Sequence, residues 1–438
     1  MKAAQKWVTS LGASKVLMVG YALVSIIGTL GLALPWASNE SQPFINHLFV
    51  AFSAVSTTGL SPVDVGQSYT LLGQIIILAL IQVGGLGYMS LASFVVLLTK
   101  KNISPQQNEM LRSDFSLPEG FKIKSFVGRL VIFALIMETF GFIVLAFIFG
   151  RAGVSNYLWS ALFHSVSAFC TAGFSLFSSG LSDYANNFWL NAVISILSLA
   201  GALGFIVISD VIDRLKGARD QLTFTTRIIF KFTFAGILLG SVLLFLGDTH
   251  LEQFAYDERL IMAFFQTMSA LTTVGFNTID VSLISPAPLF LITLLMLVGA
   301  SPSGTGGGIK STTFTALYAQ LMSTIKGRKN VVYMNRIIPK HREALAVSNF
   351  FFYALVVVIG IYLLLLVETQ APAKLVFEAI SALGTVGLSI GATSTLSTLG
   401  KLVIIALMFM GRVGPLSFGI AIFGTKAEPV QREEDIVL

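Results

Sequence analysis

Charge is scarce in this sequence. Only 11% of its 438 residues are Asp, Glu, Lys or Arg, against about 25% in a soluble domain. Hydrophobic residues make up 55% and mean hydropathy is +0.82. That balance excludes a water-soluble enzyme and implies a chain that crosses a bilayer many times. One cysteine, Cys170, excludes an intramolecular disulfide and a cysteine metal cluster. The histidines, at 47, 164, 250 and 341, are too dispersed to form a metal pattern. No nucleotide motif is present: "GTGGGIK" (304–310) lacks the spacing of a phosphate loop and follows a membrane-type run rather than a strand. The basic start, "MKAAQKWVTSLGASK", precedes an apolar run long enough to span, so it is expected to be retained rather than cleaved. The net charge of +6 concerns orientation in a membrane, not nucleic acid.

The few charges are placed unevenly. Of 28 Lys and Arg, 21 fall in residues 2–15, 100–124, 214–231, 326–342 and 426–432. Positive charge marks cytoplasmic segments, which puts both termini inside. The loops left for the other face carry Arg151, Arg259, Lys374 and Lys401, with nine acidic residues including Asp64 and Glu368. An acidic outer face either gathers cations at a pore mouth or is ordinary solvated loop surface.

What the chain does have is a fourfold repeat. "FVAFSAVSTTGLS" (49–61), "FHSVSAFCTAGFS" (163–175), "FQTMSALTTVGFN" (265–277) and "FEAISALGTVGLS" (377–389) align without gaps. They share F-x3-S-A-x2-T-x-G-[LF]-[SN] and end on Gly59, Gly173, Gly275 and Gly387. A long apolar run precedes each motif (about 15–37, 125–149, 227–247 and 345–367), and another follows it (about 70–98, 188–209, 288–323 and 399–424). The motif itself offers a helix of roughly ten residues, about half a bilayer at ~1.5 Å per residue. The expected fold is an all-α polytopic membrane protein of four fused helix–pore-helix–helix repeats around a pseudo-fourfold central pore, with eight spans. The expected boundaries are a tail at 1–14, repeats at 15–99, 100–209, 210–323 and 324–425, and a tail at 426–438.

Irregular backbone at membrane depth survives only where it lines water or protein. Four T-x-G turns round one axis would offer rings of carbonyl oxygens, the device by which potassium filters replace a hydration shell. The helix C-termini would turn their partly negative ends toward a cation. These motifs and the fused plan resemble the Trk/Ktr/HKT superfamily of potassium- and sodium-translocating subunits, over roughly residues 15–425. The chain is most similar to the Ktr-type membrane subunit, because Trk-type members carry two further N-terminal spans. The resemblance implies filter roles for Thr57-Thr58-Gly59, Thr171-Ala172-Gly173, Thr273-Val274-Gly275 and Thr385-Val386-Gly387. A glycine in all four filters goes with potassium in that superfamily. The unequal T-T-G, T-A-G and T-V-G walls leave selectivity and sodium coupling open. A sodium-coupled potassium symporter and a sodium-selective pore of the same fold are the alternatives.

The second runs share "GGLG" (84–87), "GALG" (201–204), "GASP" (299–302) and "GRVG" (411–414), which begin 24 to 28 residues past each filter glycine. Small residues there would let four helices approach. Repeat three continues as "SPSGTGGGIKS", within the break at 299–313. Ser303, Gly304, Thr305, Gly306, Gly307 and Gly308 would form a mobile polar loop across the path, similar to the superfamily's intramembrane gate. Lys310 would either bind the loop's carbonyls or snorkel to the cytoplasm. Repeat four places Arg412 where the others have Gly85, Ala202 and Ala300. It reads as a positive barrier below the filter, the alternative being a buried ion pair with Glu138 or Glu378. An alternating-access transporter is disfavoured by parallel repeats with Glu138 the one available midplane acid. A Cys170–His164 hydrolase is disfavoured because six residues separate the pair on a short helix. The resemblance further implies the bacterial cytoplasmic membrane and its lipid, a homodimer with one pore per protomer, and potassium, or sodium, as cargo with no cofactor. It also implies a nucleotide-binding cytoplasmic ring docked on the basic loops 100–124, 210–231 and 324–344.

Overall fold

The computed structural model describes residues 13–87 and 123–424. The basic segment 426–432, most of 2–15 and 100–124, and the end of the first repeat's second run lie outside the described residues. The long first helices are α1 (Ala13–Leu32), α4 (Ile123–Arg151), α8 (Phe224–Gly247) and α12 (Lys340–Val367). All four are long and apolar enough to cross a membrane. Their exposed faces are aliphatic and aromatic: Ile27 and Leu30 on α1, Ile143 and Phe147 on α4, Leu238 and Leu246 on α8, Val358 and Leu366 on α12. Contiguous apolar surface on this scale needs lipid.

The pore helices are α2 (Phe44–Val55), α5 (Tyr157–Phe169), α9 (Tyr256–Thr272) and α13 (Pro372–Gly384). They have 12, 13, 17 and 13 residues, short of the roughly 20 that a span needs. Their motif ends are buried, including the phenylalanines at 49, 163, 265 and 377.

The second helices depart from the expected unbroken runs. They are α3 (Leu71–Leu86), α6 (Phe188–Leu203) with α7 (Phe205–Leu215), α10 (Pro286–Leu297) with α11 (Ser311–Ile325), and α14 (Thr398–Val413) with α15 (Pro415–Phe423). The α6–α7 and α14–α15 pairs are each bent by 96°. The cause is the last glycine of each four-residue signature. Gly87, Gly204 and Gly414 have φ of 79°, 86° and 88° with extended ψ, a region open essentially to glycine alone. These glycines end helices as well as letting them approach. In the third repeat the break widens into the loop between α10 and α11.

The second helix of each repeat packs on the next repeat's pore helix: α3 on α5, α6 on α9, α10 on α13, and α14 back on α2. Lys401 on α14 also donates to Asn46 on α2 at 2.9 Å. The four repeats therefore close in a ring in sequence order. Beyond α11 the chain makes a β-hairpin, β1 (Val332–Tyr333) against β2 (Arg336–Ile337). Its two turn residues, Met334 and Asn335, have φ of 47° and 60°, as a tight hairpin turn requires.

Candidate functional site

Each pore helix ends in the same way. The amide of the middle T-x-G residue donates back to the carbonyl of the motif serine. Thr58 reaches Ser53 at 2.9 Å, Ala172 reaches Ser167 at 2.8 Å, Val274 reaches Ser269 at 3.1 Å and Val386 reaches Ser381 at 2.8 Å. The threonine amides bond to the motif alanines, Ala54, Ala168, Ala270 and Ala382. This paired closure is the Schellman arrangement, whose left-handed position normally belongs to glycine. Here it holds Thr57, Thr171, Thr273 and Thr385, at φ of 54°, 50°, 60° and 50°. A side chain in that region costs roughly 1–2 kcal/mol. Four such costs in one place single these turns out as a candidate site.

The glycines that follow also have positive φ: 93° at Gly59, 64° at Gly173, 77° at Gly275 and 92° at Gly387. Space forbids a side chain at each. A Cβ on Gly59 would strike the carbonyl oxygen of Ala172, one on Gly173 that of Val274, one on Gly275 that of Val386, and one on Gly387 that of Thr58. Every contact runs to the middle residue of the next repeat, and the fourth returns to the first. The four turns thus form one closed ring of glycines and carbonyls.

The sequence displays the motif serines without a role. Ser53 and Ser381 accept the amides of Gly59 and Gly387, each at 3.1 Å. Ser167 and Ser269 donate to the carbonyls of Phe174 and Phe276, at 2.9 and 2.6 Å. They brace the returning strand of each turn. On one side the ring opens into a cavity of about 410 Å³ walled by all four repeats. Its lining includes Ser61, Ser175, Asn277 and Ser389, the last residue of each motif, with Asp64 as its charged group.

The side away from this cavity is covered by the loop between α10 and α11. It leaves and returns at one point, where the Ile309 amide donates to the Leu297 carbonyl at 3.1 Å. Its tip lies against all four T-x-G threonines. Thr57 donates to the Thr305 carbonyl at 3.2 Å, and the Thr171 and Thr305 hydroxyls are 2.9 Å apart. A Cβ on Gly306 would strike the Thr273 hydroxyl, and one on Gly307 the Thr385 hydroxyl. The glycines are there because the threonines leave no room. Lys310 turns inward and donates to the Gly306 carbonyl at 2.6 Å.

The broken helix of repeat two receives this loop. Ser301 and Thr305 donate to the Ala202 and Gly201 carbonyls at 3.0 and 3.1 Å. Ser303, at φ 61°, accepts the Phe205 amide on its carbonyl and the Ile206 amide on its hydroxyl, at 3.2 and 3.0 Å. The loop thereby satisfies the free amides at the start of α7. Arg412 holds it from the opposite repeat, donating to the Thr305 and Gly84 carbonyls and to the Thr57 hydroxyl at 3.3 Å. Neither carboxylate alternative for Arg412 is realised. Glu138 accepts from Gln82 at 2.8 Å, and Glu378 accepts from Ser389, Thr393 and the Ala392 amide. Backbone carbonyls around Arg412 thus take the place of a counter-ion. Cys170 lies 3.7 Å from Gln82, while His164 contacts Ser160 and Ser175, so the two do not meet.

A closed ring of turns at membrane depth, shut on one side by a loop, defines a multi-pass membrane transport protein with one central path. The model of a family described as cation transport protein, TrkH, matches residues 11–427, and the chain belongs to that family of transporters. It is 32% identical over 432 residues to the Ktr system potassium uptake protein B of Vibrio alginolyticus, covering 98% of this chain and 95% of that protein. It is 33% identical over 441 residues to the potassium/sodium uptake protein NtpJ of Enterococcus hirae, covering 97% and 96%. The crystal structure of the potassium transporter TrkH from Vibrio parahaemolyticus superposes with a TM-score of 0.72 at 19% identity, over 94% of this chain and 85% of that one.

Proposed function

We propose that this chain is the pore subunit of a bacterial potassium uptake system, selecting K+ at its four T-x-G turns and gated by the loop at 303–310. The observation that carries this reading is the closed ring, in which each filter glycine touches the next repeat's carbonyl. Carbonyls from Thr58, Ala172, Val274 and Val386, with hydroxyls from the four threonines, supply oxygens that can replace the water around a dehydrated K+. The helix C-termini behind them favour a cation. Arg412 and Lys310 add positive charge below the filter, which slows cation passage while the loop is seated.

Lifting the loop needs only the free energy of its few polar contacts, within reach of a partner that binds the open form better. A cytoplasmic nucleotide-binding ring on the basic loops 210–231 and 324–344, and on 100–124, fits that role. The assembly is a homodimer in the bacterial cytoplasmic membrane, with both termini inside. The repeat boundaries at 15–99, 100–209, 210–323 and 324–425 follow from the same plan.

A second reading, a K+ pathway that depends on or also carries Na+, is favoured by similarity to a relative named for both ions. Reconstituted protein in vesicles, assayed for K+, Rb+ and Na+ flux, tests both. Flux of K+ and Rb+ well above Na+ supports the first reading. Equal Na+ flux, or K+ flux only with Na+ present, supports the second. Flux of none of these ions, with or without the ring, contradicts both.

A further inference from the structure

The last motif residue and the pore-helix residue eleven positions before it form a pair in every repeat: Val50 with Ser61, His164 with Ser175, Gln266 with Asn277 and Glu378 with Ser389. Only two of these pairs are joined. In repeat two, His164 Nε2 lies 3.0 Å from the Ser175 hydroxyl. Its Nδ1 faces the Ser160 carbonyl at 2.7 Å. That carbonyl can only accept, so Nδ1 carries the proton and a neutral ring takes the Ser175 proton at Nε2. In repeat four, Ser389 donates to Glu378, which also takes the Thr393 hydroxyl at 2.7 Å and the Ala392 amide at 3.3 Å.

Each serine is fixed from its other side as well. Ser175 accepts the Phe177 amide and Ser389 the Gly391 amide, both at 3.0 Å. Repeats one and three lack this link. Val50 has no polar atom, and Ser61 turns to its own loop at Val63. Both side-chain polar atoms of the buried Gln266 are without a partner, and Asn277 donates to Ile279 instead.

The ring order puts repeats two and four on opposite sides of the pore, and Ser175 and Ser389 line its outer cavity. His164 and Glu378 are fully buried behind them. With its oxygens taken by Ser389, Thr393 and the Ala392 and Ile390 amides, and with no exposed surface, Glu378 has no means of meeting the ion. We infer that Glu378 and His164 are positioning residues for ion discrimination, acting through Ser389 and Ser175 to hold two opposed walls of the outer filter at fixed width. The walls of repeats one and three are left to adapt. This rests on the proposed filter reading. A ring fixed on two sides resists closing around the smaller ion, so the braces act on the Na+ side of the K+/Na+ comparison.

The test uses the full chain in vesicles, with K+ and Na+ flux measured at matched protein levels for Ser389→Ala, Glu378→Gln, their double variant and Gly387→Ser. Ser389→Ala and Glu378→Gln should each lower the K+/Na+ ratio about tenfold, equivalent to about 1.4 kcal/mol of differential binding. The double variant should fall no further than the worse single, because both remove one link. The ratio should fall because Na+ flux rises, which a general loss of structure would not produce. Unchanged ratios in the brace variants, or additive ones, with a lowered ratio in Gly387→Ser, would overturn the braces and leave the filter standing. A wild-type ratio in Gly387→Ser as well would remove the filter reading. Ser389→Ala leaves Glu378 its donors from Thr393, Ala392 and Ile390, so it carries the test if Glu378→Gln is not recovered in the membrane.

Discussion

The hydroxyl of Thr305 stands 2.9 Å from that of Thr171, and this contact joins the loop of the third repeat to the T-x-G turn of the second. The same loop residue gives its carbonyl to Arg412 of the fourth repeat and Thr57 of the first. One threonine thus ties the loop to three other repeats at the inner end of the path. Loosening any of these ties should favour the open path.

Arg412→Ala should raise K+ flux several-fold without loss of expression. Removing it withdraws the donor that holds the loop at the Thr305 carbonyl and a positive charge from the path, and strands no carboxylate. Second-site changes at Glu138 or Glu378 should have no restoring effect, because neither contacts Arg412. Membrane levels and K+ uptake of the single and double variants decide this. Loss of protein restored by Glu138→Ala would show an ion pair instead.

Ser303→Ala should raise uptake in cells without the regulatory partner. The substitution frees the Ile206 amide, and a bond of this kind contributes about 0.5–1.5 kcal/mol. Resting flux should rise by roughly two- to tenfold with the K+/Na+ ratio unchanged, as the filter lies beyond the loop. A changed ratio with unchanged flux would put Ser303 in the filter rather than the gate.

Deleting Gly304 to Gly308 should give high, partner-independent K+ flux. The deletion removes Thr305 and the two glycines beneath Thr273 and Thr385, and with them every contact of the tip. K+ uptake by cells lacking the partner is the measurement. Low flux in a deletion variant present at normal membrane levels would reduce the loop to a static break.

Much of the architecture is legible in the sequence because it is repeated. The ungapped F-x3-S-A-x2-T-x-G pattern marks all four half-helices, and Arg412 stands out against Gly85, Ala202 and Ala300. The breaks at Gly204 and Gly414 are hidden, because apolar residues continue on both sides and hydropathy is blind to φ. The main partners of Arg412 are hidden for another reason. They are backbone carbonyls at Thr305 and Gly84, and a carbonyl has no letter in a sequence; of the two fates open to Lys310, the loop carbonyl, at Gly306, is the one realised. The same holds for Gly201–Ile206, whose small residues suggest close helix packing but whose carbonyls and amides seat the loop. The motif serines were visible as a pattern, and their bracing role appears only once the turn is folded.

The most direct measurement is the K+/Na+ flux ratio of vesicles carrying wild type or Gly59→Ser, Gly173→Ser, Gly275→Ser or Gly387→Ser. Each serine adds a Cβ where φ is positive and the next repeat's carbonyl is already in contact. The ratio should fall about tenfold or more, a loss of about 1.4 kcal/mol or more in ion discrimination. It should fall unequally, since the four walls differ. Wild-type ratios in all four variants would contradict a selective path through this ring.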